Sequence, residues 1–593
     1  MKSSKRWILP GLLMLTISAS AQFIGDFPGG GFPGGGFPGG GFPGGGFPGG
    51  GFPGGELPGG GFGASGFGAG GFGAGTTFQA SQTSGSVSLE SSNLPIIIIK
   101  SDGSPIGNKS KVSATMRIID NSGKRNNVKD AANGYDGQIG IKLRGESSLM
   151  FEQKSFTIEL RDSQGKDFKA PLLGMPEECD WALVAPYNDI SMMRNSLAYD
   201  MWTEMGHWGP RTRMVELVFD GKYQGVYVLA ETVKRDRNRL SIANIKAEDN
   251  SGVELTGGYI LRIDAHDADD LTFTSRVSGI MGHGSSGFGG FGGMGGFGNM
   301  VGFGGFDFGG RFGSADSQQG PVSNPIVWTI RTPKKDKITE KQRAYIENYI
   351  HQTEAAIQGA DFADPDKGYA AYISVSSFVD YLIHTEVSLN ADGMKRSTYF
   401  YKTKQNPDGT GGKLHAGPVW DYNLAYGNCN FSNGNNVRAW VHEGSETMPT
   451  TFIWKRLMED PAFVSKVKTR YTELRRTVLC LDSIYRYIDG HAALLSESQS
   501  RQYTLYSDLL SQENNANESG NGMMGFGGMG GFPGMGSNAG GFGGFGGGFG
   551  GFGGGGMAKM FAAYSVSSYA QEIQILKDWF KSRIDFLDSQ WLL

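Results

Sequence analysis

The sequence predicts an α+β protein, strand-rich in its first half and helix-rich in its second. Three features carry that prediction. Short apolar runs, some continuous and some alternating, crowd residues 95–264 between Gly, Asp and Asn. Longer stretches with apolar residues at helical spacing follow in 339–389, 451–481 and 565–593. Gly-rich tracts interrupt both halves and fit neither pattern; 97 of the 593 residues are Gly. A two-lobed body is a natural realisation of such an order.

From the start of the chain, residues 1–21 read as a signal peptide. Lys2, Lys5 and Arg6 precede an apolar stretch over 7–17, and Ala19-Ser20-Ala21 offers small residues for cleavage. No Cys follows to take a lipid, and no later segment offers about 18 apolar residues for a membrane span. Export is therefore expected, to a periplasmic, cell-surface or extracellular location. Residues 22–80 are low-complexity: FPGGG repeats with period five from Phe27, decaying into FGASG and FGAGG. Similar tracts, rich in Gly, Phe and Met, occupy 279–316 and 513–557. Such composition cannot offset chain entropy with a packed core, so all three are expected to be disordered. Their regularly spaced aromatics could serve as weak stickers in self-association. The remaining ~440 residues are ample for a sizeable core. They divide into a domain over 90–512 and a terminal helix within 558–593.

Within that domain, PIIIIK (95–100) reads as a buried strand, and QIGIKLRG (138–145) and SFTIELRD (155–162) as half-buried ones. Residues 214–233 read as a hairpin turning at Asp220-Gly221. GGYILRID (257–264) is a further strand. Helices are expected at 339–359, with Thr339 as N-cap, and at 374–389, 451–457, 461–481 and 565–593.

Several functions are excluded. The net charge of −4 gives no basic footprint for nucleic acid. HExxH is absent, as is a GxSxG elbow in the folded part, and the eight His show no ligand spacing. Cys179, Cys429 and Cys480 lack CxxC spacing and are expected to be buried apolar side chains. DNSGKRNNVKD (120–130) resembles a calcium loop loosely, without its sixth-position Gly or twelfth-position Glu. HDADD (266–270) reads as a solvated loop.

Two late stretches carry more. LNADGMKRSTYFYKTK (389–404) places Asp392 just past a helix end, before a strand over 397–402. KLHAGPVWDYN (413–423) then places Asp421 at what reads as the end of the next strand. Phosphoryl-transfer enzymes of the kinase type use that order. One Asp orients the accepting hydroxyl, and a second, after the next strand pair, holds Mg²⁺ on the nucleotide phosphates. Capping of a helix end and a strand end is the plainer alternative.

The run KLRGESSLMFEQKSFTIELRD…PLLGMPEECDWALVAPYNDISMMRNSLAYDMWTEMG…RTRMVELVFDGKYQGVYVLAETVKRDRNRLSI…GGYILRID resembles the spore coat protein H family, the CotH-like proteins. The RG-x-SS element, the DW-x-L element, the MRN helix and the Y-x-GVY-x-L-x-E hairpin occur in the expected order. The later Asn-x-Asp and WDYN stretches also fit, so the resemblance covers roughly residues 95–480.

The resemblance implies an atypical, secreted protein-kinase-like fold. It further implies phosphorylation of Ser or Thr on surface or coat proteins, with ATP and Mg²⁺ or Mn²⁺ as cofactors. Carried over, Asp392 would be the catalytic Asp and Asp421 the metal-binding Asp. Lys154 would contact phosphate, with Glu231 orienting it, and Arg144 and Ser148 would shape the nucleotide pocket. The chain departs from the family at three places. Ser397 stands where Asn is common, Asn423 replaces the second acid of an Asp-x-Asp, and Arg262 stands where relatives often carry Lys. Two classes of function stay open: such a kinase, or a catalytically degenerate surface or coat protein whose Gly/Phe repeats mediate assembly.

Overall fold

Four consecutive isoleucines fill strand β1 (Ile96–Lys100) because both of its faces are covered. Ile97 and Ile99 point into one apolar cluster and Ile96 and Ile98 into another. The computed structural model describes residues 77–80, 87–281, 325–430, 433–445, 449–510 and 564–593. All of these belong to one unit, residues 70–593. The expected signal peptide, most of the repeat region and nearly all of the other two Gly-rich tracts lie outside the described residues.

The first cluster is the inside of a closed seven-stranded barrel. It is built from β1, β2 (Val112–Ile119), β3 (Tyr135–Arg144), β4 (Ser155–Arg161), β5 (Asp180–Val184), β6 (Thr212–Phe219) and β7 (Lys222–Glu231). Going round, the order is β5-β7-β6-β1-β2-β3-β4 and back to β5. Every neighbour pair is antiparallel except β1 and β6, which run parallel with Ile96 opposite Glu216. Alternation decides what goes inside. Ile139, Ile141 and Leu143 of β3 meet Phe156, Ile158 and Leu160 of β4 there. The β6–β7 hairpin turns at Asp220-Gly221, both at positive φ (46° and 77°), as its Asp-Gly pair foretells. Between β5 and β6 lies helix α1 (Arg194–Glu204), outside the barrel.

The second sheet has five antiparallel strands in the order β9-β10-β8-β11-β12. They are β8 (Tyr259–Ile263), β9 (Thr272–Ser278), β10 (Pro325–Thr332), β11 (Thr398–Lys402) and β12 (Leu414–Ala416). Two of these come from the helix-rich half, so the strand-first, helix-later order is only approximate. Helix α2 (Glu340–Gln358) starts with a full capping box between Thr339 and Gln342. Helix α3 (Val375–Ser388) is buried almost all round. Helices α4 (Phe452–Met458), α5 (Pro461–Arg475), α6 (Leu481–Leu495), α7 (Ser498–Leu505) and α8 (Tyr569–Trp591) follow. The expected helix over 461–481 breaks after Arg475, and a separate helix, α6, starts at Leu481. One continuous apolar cluster runs through α1, the second sheet and these helices. Among the described residues no helix is long and apolar enough to cross a membrane. None of the three Cys is in a disulfide; Cys179 and Cys429 are buried and Cys480 is half-buried.

Candidate active-site cleft

Helix α3 ends in a left-handed residue, Leu389 (φ 45°), and the chain turns sharply into 390–397. That turn is closed by its own bonds. Arg396 N–H donates to the Asp392 carbonyl at 2.9 Å, and Asp392 N–H to Asn390 Oδ1 at 3.3 Å. Asp392 thus lies just past a helix end, half-buried, and Ser397 (φ 47°) leads into β11.

Asp421 is placed differently from the expectation. Strand β12 stops at Ala416, and Asp421 follows in irregular chain, not at a strand end. Only Gly fits at 417. Its φ is 104°, and a Cβ there would meet the Trp202 ring at 2.7 Å. Beyond it, helix α1 holds the backbone. Asp421 N–H donates to Tyr199 Oη (3.1 Å) and Tyr422 N–H to Asn195 Oδ1 (2.6 Å). Asn390 Nδ2 reaches the Asp421 carbonyl at 3.3 Å and so joins the two loops. These contacts hold Asp421 at φ 65°, a conformation that costs a non-Gly residue about 1 kcal/mol or more.

A third acid belongs here that the sequence reading left out. Ile263 of β8 pairs with Thr398 of β11, so the next residues, Asp264 and Ser397, fall side by side. Ser397 Oγ lies 3.4 Å from Asp264 Oδ2 and 3.5 Å from Asp421 Oδ2. Asp421 is exposed to solvent, yet enough protein surrounds its carboxyl to strip part of its hydration. That desolvation, with the charges of Asp392 and Asp264, pushes the Asp421 carboxyl up to about 6 against the pull of Arg144 and Ser397.

Cations face the acids. The Arg144 guanidinium lies over the Trp420 ring, 5.1 Å from its centroid, and Trp420 stacks on Tyr199. Burial lowers its pKa, and Asp421 and two tyrosines pull the other way. Arg262 pairs with Asp264 (3.2 Å), with Asp270 at 3.8 Å. Burial opposes its charge, but Tyr399, Asp264 and Asp270 outweigh that and raise its pKa. Glu146, in the loop after β3, feels Arg396, Asp264, Asp267 and Arg262. The RGESS loop therefore faces the same cleft. Ser148 instead folds back on that loop: a Cβ at Gly145 (φ 96°) would meet its Oγ at 1.8 Å.

Lys154 and Glu231 do not form the expected pair. The Lys154 ammonium donates to the carbonyls of Leu149 (2.7 Å) and Phe151, within its own loop. Glu231 is fully buried and gripped by both arms of Arg211, each at 2.9 Å, with Arg239 at 3.6 Å. Those partners replace Lys154, so Glu231 orients an Arg pair at the end of β7. Asn423 follows Asp421 in the same loop, its carbonyl accepting from Asn428 Nδ2 at 2.8 Å.

Helix α8 ties the cleft's supports together. Arg583 donates to the carbonyls of Glu386, Val437 and Ala439 and pairs with the Glu386 carboxylate at 3.0 Å; Arg583 and Glu386 are both fully buried. Glu386 sits on α3, just before the Asp392 turn. Glu572, also on α8, pairs at 2.8 Å with Arg194, the first residue of α1, which also holds Asp189.

Asp264, Asp421, Asp392 and Ser397 offer only hard oxygen donors, and these suit Mg²⁺ or Mn²⁺. The three carboxylates stand further apart than Glu178, Cys179 and Asp180, whose donor atoms lie within 4.8 Å of one another. That tighter trio already contains a cation: Lys234 Nζ lies 3.0 Å from Glu178 and 2.6 Å from Asp180.

Residues 141–587 match the family model described as CotH kinase protein. The chain belongs to the CotH family. Its match starts within β3 and runs into α8, so the family region extends well past residue 480 and takes in the terminal helix. Over 95 residues the chain is 33% identical to the inner spore coat protein H of Bacillus subtilis (strain 168). That stretch is 16% of this chain and 24% of the coat protein, so the two align over about a quarter of the relative's length.

Proposed function

We propose that this CotH-family chain is a protein kinase that transfers the γ-phosphoryl group of ATP to Ser or Thr hydroxyls of surface or coat proteins. One observation carries the reading. Asp421 and Asp264 meet on Ser397, with Asp392 in electrostatic range and the Arg144 and Arg262 guanidiniums beside them. Acids that hold a divalent cation, one further acid and a pair of guanidiniums are the parts that phosphoryl transfer requires. In this reading the barrel with its RGESS loop forms one lobe of a kinase-like body. The second sheet and the helices form the other.

Asp421 would hold Mg²⁺ or Mn²⁺, with Ser397 and Asn423 as neutral oxygen donors. The cation would neutralise charge on the ATP phosphates as it develops. Arg144 and Arg262 would grip phosphate oxygens, and their fixed charge suits that task. Asp392 would accept the proton of the attacking hydroxyl. The new bond joins that oxygen to the γ-phosphorus, the bond to the β-phosphate oxygen breaks, and ADP leaves. Tyr199 and Asn195 hold the backbone at Asp421 and Tyr422, which keeps the carboxylate positioned ahead of binding. The relative's name places that protein in a spore coat. Together with the N-terminal signal pattern, this supports export and a surface or coat substrate.

The test is phosphate transfer from labelled ATP by the purified protein, with Mg²⁺ or Mn²⁺. Asp392→Asn and Asp421→Asn are assayed alongside. Metal-dependent labelling that falls by a factor of about 10² or more in both variants is expected. Absence of labelling and of metal-dependent nucleotide binding would overturn the proposal.

A further inference from the structure

Asp264 has no role in the departures that set this chain apart from its family pattern, yet its position answers them. Both Ser397 and Asn423 stand where a stronger metal donor is common, and both are neutral. We propose, on the kinase reading above, that Asp264 is a metal-holding residue of the cleft and supplies the carboxylate that is missing at Asn423.

The argument is geometric. The β8–β11 register sets Asp264 opposite Ser397 as the strands end. Asp264 Oδ1 is fixed by the N–H of Ala265 at 2.9 Å. That bond turns Oδ2 toward Ser397 Oγ (3.4 Å) and Arg262 Nη1 (3.2 Å). From the other side, Asp421 Oδ2 approaches the same Oγ at 3.5 Å. A hydroxyl has one proton to donate, so it satisfies at most one of the two carboxylates. Ser397 is buried, and both distances sit at the long limit of a hydrogen bond. Two anionic oxygens therefore converge on one neutral oxygen, with Arg262 paired to Asp264 and Arg144 in electrostatic range of Asp421. Two carboxylates and a hydroxyl form a donor set for a small hard divalent cation.

A counter-ion role makes a different prediction. If Asp264 served only to neutralise Arg262, cation binding would not depend on it. The two roles separate when Mn²⁺ alone is titrated into the full chain and followed by the loss of the free-ion paramagnetic resonance signal. Asp264→Asn keeps the shape and the acceptor for the Ala265 N–H. It is expected to weaken Mn²⁺ binding about tenfold or more. Asp264→Glu, which keeps the charge, retains binding, and Arg262→Gln, which removes a competing cation, binds at least as tightly as the wild type. Ser397→Asn placed in the Asp264→Asn chain recovers part of the lost affinity. Thermal melting of each variant checks the fold, and Asp264→Ser, read in the same titration with the same expected loss, decides the matter if Asp264→Asn does not fold. Wild-type affinity in Asp264→Asn overturns the role of Asp264 and leaves the kinase reading standing. A wild-type chain that binds neither Mn²⁺ nor nucleotide overturns the kinase reading itself.

Discussion

Replacing Arg583 by Leu tests how far helix α8 supports the cleft. The side chain is fully buried and makes four hydrogen bonds, three to carbonyls and one to the Glu386 carboxylate. Burial lowers its pKa to about 10, so it is charged at neutral pH. Glu386 is charged too: burial works against it, but His442 and Arg583 outweigh that and lower its pKa. Breaking a buried ion pair from one side costs about 3–5 kcal/mol. Leu also takes a donor from three carbonyls, but the Glu386 carbonyl keeps the Leu389 N–H and the other two are on half-buried residues, so each adds less than about 1 kcal/mol. Some of this is offset, because Glu386 keeps the N–H groups of Val441 (3.1 Å) and His442 (2.8 Å) and the His442 ring (2.8 Å). A net loss of about 3 kcal/mol is expected. Urea unfolding of the purified protein measures it, with an unchanged slope as the sign that the unfolding unit is the same. Adding Glu386→Gln should recover part of the loss, because no buried charge is then left alone. A variant within about 0.5 kcal/mol of the wild type, the range of an ordinary surface change, would refute the reasoning.

Three further predictions concern other parts of the fold. Glu354 lies in the core, bonded to Trp328 Nε1 at 2.9 Å, and burial pushes its carboxyl up to about 8. The native state then holds a proton that the unfolded chain releases above about pH 4.5, so stability falls as pH rises from 5 to 8. Glu354→Gln should be more stable than the wild type at pH 8, on the order of 3 kcal/mol, and close to it at pH 5; parallel melting curves at the two pH values report it. Gly417→Ala forces a Cβ against Trp202 at positive φ and should cost about 2 kcal/mol or more; it should also slow phosphate transfer by shifting Asp421, read as a lower melting temperature and a lower rate. Deleting residues 27–75 should leave phosphate transfer at the wild-type level while reducing concentration-dependent self-association in sedimentation; loss of transfer would give the repeats a catalytic role.

Much of the local structure was legible because it follows from periodicity and turn chemistry. The Asp220-Gly221 hairpin, the Thr339 cap and the amphipathic α2 are examples. Barrel closure was not legible. It depends on β1 lying parallel to β6, a pairing between distant segments that leaves no local mark. Strand β10 was missed although Ile326, Trp328 and Ile330 alternate, because it stands directly after a Gly-rich tract. In the cleft, Asp392 was placed correctly past a helix end. Asp421 was assigned to a strand end because its apolar lead-in looks extended, whereas Gly417 and helix α1 shape that segment. Asp264 ends an alternating run, the same signal that singled out Asp421, and was simply not weighed. Lys154 and Glu231 were linked through the resemblance, and no local signal reveals that Arg211 sits across the hairpin from Glu231.

The place of Arg583 and Glu572 in the chain also has a bearing on synthesis. A ribosome delivers Asp264, Asp392 and Asp421 long before it delivers helix α8. Until that helix emerges, Glu386 lacks its guanidinium and Arg194 is short of one carboxylate, so α3 and α1 are left with buried charge imperfectly matched. A message broken within residues 513–557 would yield a chain carrying every acid of the cleft and still lacking what steadies them. The steadying of the cleft is in this way tied to synthesis through helix α8.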